Sequence, residues 1–466
     1  MRQWRVGSIT LGVTLILIGI TCILGNIYDL TLVGKIIKWW PVILIIFGIE
    51  ILVSNTLSEK NLGKLKFDGL SGFLILIILG ISGVLFIGSH IFNFNKEGIN
   101  IRGFNNINYK FESKFTKQQV IDPKTAKKLI ISSDLANINL EKSSKQVIEV
   151  NSDIRILNND EKEAKKIADS IIKVSQGEDI RIDTQKDFKN NSNYSVSRLN
   201  INIKIPEKIY SEVTNEYGSI SAKNIGNGIK VKNSNGNINL NSISGDVICE
   251  NTYGKIEVDI IKGKVEIKNK NGSIKVKNIE KDLGVENEYG TINVEDVNGN
   301  VITKNSNGNI RIINVGGNVK AQDQYGLIYL KNIKKNVEVE NKNAKIDVQD
   351  IFGDFKCEND YGNIKAVNIL GKVDINSGNG SVEFKNSNIV NKDLKIINEG
   401  GSVKMTFAKE QKGHFILEST YGRIHSRNLD LNPNKTEEVE SVDKVLGNDS
   451  VKIKVTNKNG SINIYN

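Results

Sequence analysis

The sequence predicts an all-β chain, a parallel β-solenoid of 18-residue repeats preceded by three transmembrane helices. Three observations predict it. Glycine recurs at a fixed step of 18 along the middle of the chain, apolar residues hold fixed places between those glycines, and three apolar stretches crowd the first hundred residues. A chain of 466 residues exceeds one ordinary core, so several segments are expected. Its 3 cysteines cannot form a disulfide framework, which leaves packing and backbone pairing to supply stability. The net charge of +10 is unevenly spread: residues 1–128 hold 15 Lys/Arg against 7 Asp/Glu, whereas 210–380 hold 22 against 22. The basic excess therefore lies in and beside the apolar region, and no nucleic-acid partner is expected.

Residues 1–95 read as a membrane domain in the lipid bilayer, with helices over about 6–25, 39–55 and 70–92. Trp39 and Trp40 form an aromatic anchor where the second helix begins, followed by Pro41 and Gly48. Glu50 is the one acid within a span, and it is expected to snorkel towards the cytoplasmic end rather than contact an intramembrane partner. Arg2 and Arg5 precede the first helix, and Lys60, Lys64 and Lys66 separate the second from the third. The positive-inside rule then puts the N-terminus in the cytoplasm and everything after the third helix outside it. A cleaved signal is the rival for the first stretch, but "GITCILGN" offers no small-residue cleavage site, and Thr21 does not suit a lipidated Cys22. "KWWPVILIIFGIEIL" (Lys38–Leu52) resembles the membrane region of the LiaI/LiaF envelope-stress proteins of Gram-positive bacteria, through Trp40, Pro41, Leu44, Ile45 and Gly48. That resemblance implies envelope-stress sensing or regulation, with a membrane sensor kinase as partner.

Residues 96–128 read as a basic linker. Residues 129–213 read as the N-terminal cap of the solenoid, with a short helix near 159–173. Asn159 or Asp160 would cap that helix and Ala164, Ile167, Ala168 and Ile171 would share one face. Residues 214–382 carry the regular repeat, marked by Gly218, Gly236, Gly254, Gly272, Gly290, Gly308, Gly326, Gly362 and Gly380, with Ala344 in the one vacant slot. Counted from each glycine, apolar residues return at the second, fourth, seventh, eleventh and thirteenth places; in one unit these are Ile256, Val258, Ile261, Val265 and Ile267. The pairs have the two-residue period of strands with one buried face, and Gly- and Asn-rich corners separate them. Such a unit buries nothing alone and must stack, so ten coils at ~4.8 Å extend roughly 45–50 Å. A right-handed coil of one 18-residue unit is expected, the alternative being a 36-residue coil suggested by Tyr217, Tyr253, Tyr289, Tyr325 and Tyr361. Cys249 and Cys357 share one inner position six coils apart, about 29 Å, beyond disulfide reach. Residues 383–466 read as irregular final coils with an acidic loop over 427–450.

Asn215, Asn233, Asn251, Asn269, Asn287, Asn305, Asn341 and Asn359 stand three places before these glycines, with Asp323 in the remaining slot. They are expected to form a structural ladder of stacked corner amides. "INIKIPEKIYSEVTNEYGSI" and the coils after it resemble the bacterial putative-adhesin β-solenoid domain family, a domain of unknown function, from about residue 129 to the end.

Catalytic signals are sparse. The 3 histidines and 3 cysteines show no metal-ligand spacing, no serine has a nucleophile context, and the corners lack the calcium-binding G-G-x-G-x-D turn. Acids ten places after each glycine are scattered among Lys and Asn, so no carboxylate pair emerges for a polysaccharide-active β-helix enzyme. The expectation is a non-enzymatic, membrane-anchored surface protein without cofactor or metal. Envelope-stress regulation is the leading role, and adhesion or binding of cell-wall polymer through Lys/Asn columns is the alternative.

Overall fold

The computed structural model describes residues 109–184 and 194–466, preceded only by short backbone pieces such as the hairpin of Phe92–Asn95 with Gly98–Ile101. The three expected membrane helices, with Trp39, Trp40, Pro41, Gly48 and Glu50, lie outside the described residues. Among the described residues no helix is long and apolar enough to cross a membrane. Residues 109–466 form one compact unit, a parallel β-solenoid of about 11 turns.

Each regular coil contains two strands that belong to two facing sheets. Ile256–Ile261 lies in one and Val265–Asn271 in the other. Pairing is parallel and in register at a step of 18: Ile256 meets Ile274, Val258 meets Val276, and Val265 meets Leu283. The coil is therefore one 18-residue unit, and the 36-residue alternative is set aside. Alternate residues of both strands point inward, so Ile256, Val258, Ile261, Val265 and Ile267 are all buried. A one-residue slip would turn this whole set to solvent, so the apolar pattern itself fixes the register.

The two corners turn differently. Six places after each reference glycine the backbone is left-handed, from Asn224 (φ 56°) to Asn368 (φ 56°). Asn or Asp occupies most of these positions, as this conformation favours, but Ile260 is forced into it at φ 58°. The opposite corner needs glycine for two reasons. Gly254 has φ 133°, and a Cβ there would sit 2.1 Å from the carbonyl oxygen of Gly236 in the coil beneath. Where Ala344 replaces glycine, the chain takes another path: its strand stops at Asn341, and Gly326 one coil earlier does not share the positive φ of its counterparts.

Both ends are built out of sequence order. At the start, β1 (Phe111–Ile121), β2 (Lys128–Leu135), β3 (Asn137–Lys142) and β4 (Ile148–Asn158) precede helix α1 (Glu161–Ser170). Then come β5 (Ile172–Gln176), β6 (Ile180–Thr184), β7 (Tyr194–Ile205), β8 (Tyr210–Tyr217) and β9 (Ile220–Ile225). The coil of β2 and β3 is sandwiched between β6/β7 and β8/β9, all parallel. Antiparallel β5 and β4 then close the two sheets, and β1 pairs beyond β4. Helix α1 is capped by the Asp160 carboxylate, which accepts from the Lys162 backbone N–H at 2.8 Å, and its buried face is Ala164, Ile167 and Ala168. The 11-residue strand β1 corrects the reading of 96–128 as a plain linker.

The far end repeats the device. The last coil, Lys452–Asn459 with Ile462–Tyr465, inserts between Leu394–Gly400/Val403–Thr406 and Gly413–Thr420/Ile424–Arg427. Glycines therefore stack in the order Gly380, Gly401, Gly460, Gly422. The loosened spacing after Gly380 has two sources: the next coil is 21 residues long, with Val373 paired to Leu394, and the coils of Gly460 and Gly422 then stack out of sequence order. The acidic segment 427–450 is not an open loop, because Val439–Leu446 pairs antiparallel with Gly413–Thr420 and covers the final edge.

Candidate ligand-binding faces

Three side-chain columns converge on the glycine corner, and each has different chemistry. The inner one is the asparagine column. Asn233, Asn251 and Asn287 are buried, and each side-chain amide donates to the glycine carbonyl of the coil beneath: Gly218, Gly236 and Gly272, all at 3.2 Å. Asn287 also donates to Gly290 of its own coil at 3.1 Å and accepts from Asn269 at 3.1 Å. Asn215, Asn305, Asn341 and Asn359 make the equivalent bond to the coil beneath, to Ala136, Gly290, Gly326 and Ala344. Most amides thus bond the corner backbone, and few bond one another. Asp323 cannot donate; its carboxylate accepts from the backbone N–H groups of Gln324 and Tyr325, and burial raises it above the usual carboxylate range.

The second face lies along the sheet of Val265–Asn271. An open groove of about 950 Å³ runs from Lys232 to Asp360. Its exposed column alternates in charge: Lys232 pairs with Glu250 at 3.6 Å and Lys268 with Glu286 at 3.4 Å. The alternation replaces the expected Lys/Asn character from Lys232 to Lys304; beyond it the column runs Gln322, Glu340 and Glu358, so that end of the groove is acidic. Beside it runs the mixed Asp/Asn/Lys column in which carboxylate pairs were sought. Here Asp246, Asp282 and Asp354 each accept from the backbone N–H of the next coil, at Lys264, Asn300 and Lys372, all at 2.8 Å. These acids act as backbone acceptors.

The third column is outermost and sits one place before each glycine. It reads Tyr217, Asn235, Tyr253, Asn271, Tyr289, Asn307, Tyr325, Asn343, Tyr361 and Asn379. The tyrosines are between 46 % and 60 % exposed, which presents much of each ring to solvent. Strand pairing places Tyr253 against Asn271 and Tyr289 against Asn307, so the alternation is a real spatial column.

Among the described residues no group of three His, Cys, Asp or Glu is placed to hold a metal ion. Cys249 and Cys357 are free and buried, and burial pushes both thiols up, which suits packing. His414 bridges the terminal strands, with Nε2 2.6 Å from Asp443 and Nδ1 3.1 Å from Asp449. Sequence reasoning singled out the asparagine and glycine columns. It read Gly- and Asn-rich corners but did not single out the left-handed column six places after the glycines, at Asn224, Asn278, Asp296 and Asn314.

Comparison with solved structures finds a "putative cell adhesion protein" from Clostridium sporogenes, 12 % identical, covering 76 % of this chain and 99 % of its own, at a TM-score of 0.17. A "putative adhesin" from Parabacteroides merdae is 15 % identical over 58 % of this chain and 95 % of its own, at 0.30. A "putative lipid binding protein" from Parabacteroides distasonis is 14 % identical over 75 % and 96 %, at 0.20. At these scores the likenesses carry nothing about what this chain binds. No functionally curated protein matches. The family model for the Toastrack DUF4097 domain matches residues 126–465, from just before the first stacked coil to the end of the last, and the chain belongs to that family.

Proposed function

We propose that the solenoid is a binding module for an extended polymer of the cell envelope, held at the outer face of the membrane by the apolar N-terminal segment, and that it acts without catalysis. One observation carries this reading. The exposed side chains recur at the spacing of stacked strands, ~4.8 Å, along a continuous face, as in the groove from Lys232 to Asp360. A ligand that exploits such a face must itself repeat, and a small molecule would use only one or two coils of it. Sedimentation of the full-length protein with purified wall sacculi tests the reading. Saturable co-sedimentation is expected; a protein that stays in the supernatant at every sacculus concentration contradicts it.

A second reading has its own support in the Trp39–Trp40–Pro41 pattern, which points to envelope-stress regulation through a membrane sensor kinase. It predicts that removing residues 1–95 changes an envelope-stress reporter although the solenoid is still produced. A reporter that responds only to damage in the solenoid speaks against it.

A further inference from the structure

The outermost column raises a question of parity. Of the chain's 12 tyrosines, half occupy this single corner position: Tyr217, Tyr253, Tyr289, Tyr325, Tyr361 and Tyr421. If the rings merely shielded the corner backbone, every coil would profit equally, yet asparagine takes each intervening place. A duplicated 36-residue ancestor explains the regular stretch but not Tyr421. Above Tyr361 the stack continues through Asn379, Gly400 and Asn459. The coil bearing Tyr421 comes next, since Ser419 pairs with Asn457 and Gly422 sits over Gly460. Tyr421 is thus four coils beyond Tyr361 in space, although the last coil arrives out of sequence order. The even parity of the aromatic positions persists through that rearrangement, with Gly400 as its one gap and with Tyr421 in left-handed backbone (φ 56°), unlike the five tyrosines before it.

Parity kept in space rather than in sequence points to something outside the chain that repeats every two coils. Two coils span ~9.6 Å, close to but slightly shorter than one disaccharide of an extended β-1,4-linked glycan. In such a glycan successive sugars are flipped, so alternate sugars present the same face, and that apolar C–H face stacks on aromatic rings. The flanking charge is small and of both signs. In the regular coils the column holds only tyrosine and asparagine; on one side run Ser219, Asn237, Lys255, Ser273, Thr291 and Asn309, and on the other Glu216, Glu288 and Asp360 precede their tyrosines while Lys270 and Lys342 fall between. Hydroxyls and amides suit an N-acetylated, uncharged sugar. The same sparse basicity argues against single-stranded nucleic acid, which needs a cationic track beside its stacking platforms.

We infer that the tyrosine column is the binding site for a β-1,4-linked amino-sugar glycan, each ring stacking on every second sugar and each asparagine meeting the sugar between. This rests on the reading of the solenoid as a polymer-binding module and names the polymer and the face.

The test uses full-length protein with soluble N-acetylglucosamine oligomers of two, four and six units, alongside whole sacculi. Affinity should climb with each added disaccharide, by roughly fivefold per ring engaged (about 1 kcal/mol). Replacing Tyr253, Tyr289, Tyr325 and Tyr361 together by alanine should lower hexamer affinity by at least about fiftyfold, since the ring contributions compound. A composition-preserving pair, Tyr289→Asn with Asn307→Tyr, breaks the parity without losing a ring and should cost roughly fivefold. Circular dichroism melts of the variants should match wild type, because the rings are half exposed and line no core. If wild type sediments with sacculi and the quadruple variant does so equally, the tyrosine assignment is overturned while the polymer reading stands. If wild type binds no sacculi, the polymer reading falls and this assignment with it.

Discussion

Two amides secure an inner corner, one from its own coil and one from the next: Gly272 accepts from Asn269 and Asn287, and Gly290 from Asn287 and Asn305. The glycine carbonyl of the coil beneath has no strand partner, and the asparagine side chain supplies the missing donor in a buried site. Replacing Asn287 by alanine removes one of two donors at each of Gly272 and Gly290 and the acceptor of the Asn269 amide, and should cost about 1 kcal/mol in chemical unfolding. A loss within ~0.3 kcal/mol, the level of ordinary additivity error, would show that the remaining amide at each corner suffices. Ile260 is the opposite case, a β-branched residue in left-handed backbone with an exposed side chain. Ile260→Asn should raise stability by about 1 kcal/mol, and a neutral or destabilising result would mean that its side chain contributes more than the strain costs. Cys249 and Cys357 should resist a thiol reagent in the native protein and react together on unfolding. Fast labelling of either one in native buffer would place it outside the core.

At the scale of elements, the terminal hairpin carries a pH-dependent clasp. The hydrogen bond that His414 donates to Asp443, strengthened by the charge of Asp449, raises His414 above its ordinary 6.5. A raised folded value means the stabilisation is complete below the unfolded pKa and is lost as pH rises through the folded one. Amide exchange in Gly413–Thr420 and Val439–Leu446 should therefore be slower at pH 5.5 than at pH 8.5 when corrected for intrinsic rate, in the range where histidine titrates. His414→Gln should abolish the difference; a difference that survives it must come from other groups.

The elements also differ in how plainly the sequence announces them. Regular coils were readable because Ile256, Val258, Ile261, Val265 and Ile267 repeat at fixed places and each strand meets its immediate successor. Helix α1 was readable from its cap and its one apolar face. Strand β1 was not, because its inward positions include Ser113, Lys117 and Gln119 while Val120 points out, so polarity hides the alternation. The reordered end coils were hidden for another reason. Local periodicity tells which residues face inward but carries no information about which coil lies above which, and Gly401, Gly460 and Gly422 each look like ordinary corners. Of the candidate site, the tyrosine alternation was visible, but its parity through the end coils exists only in space.

The unit of residues 109–466 is a stack in which each coil touches little beyond its neighbours, and its stability is a sum over coils closed by two caps. That account makes the 18-residue coil the unit that can be removed cleanly. Deleting residues 273–290 joins Gly272 to Thr291, the same kind of junction that Gly290 makes natively, and leaves every remaining residue facing as before. The most direct test is the thermal unfolding and hydrodynamic size of this deletion beside one that removes residues 255–290. The account predicts that both fold with a single transition, shortened by ~4.8 Å and ~9.6 Å respectively. Failure of the 18-residue deletion to fold where the 36-residue deletion folds would contradict it and would make the double coil the true unit.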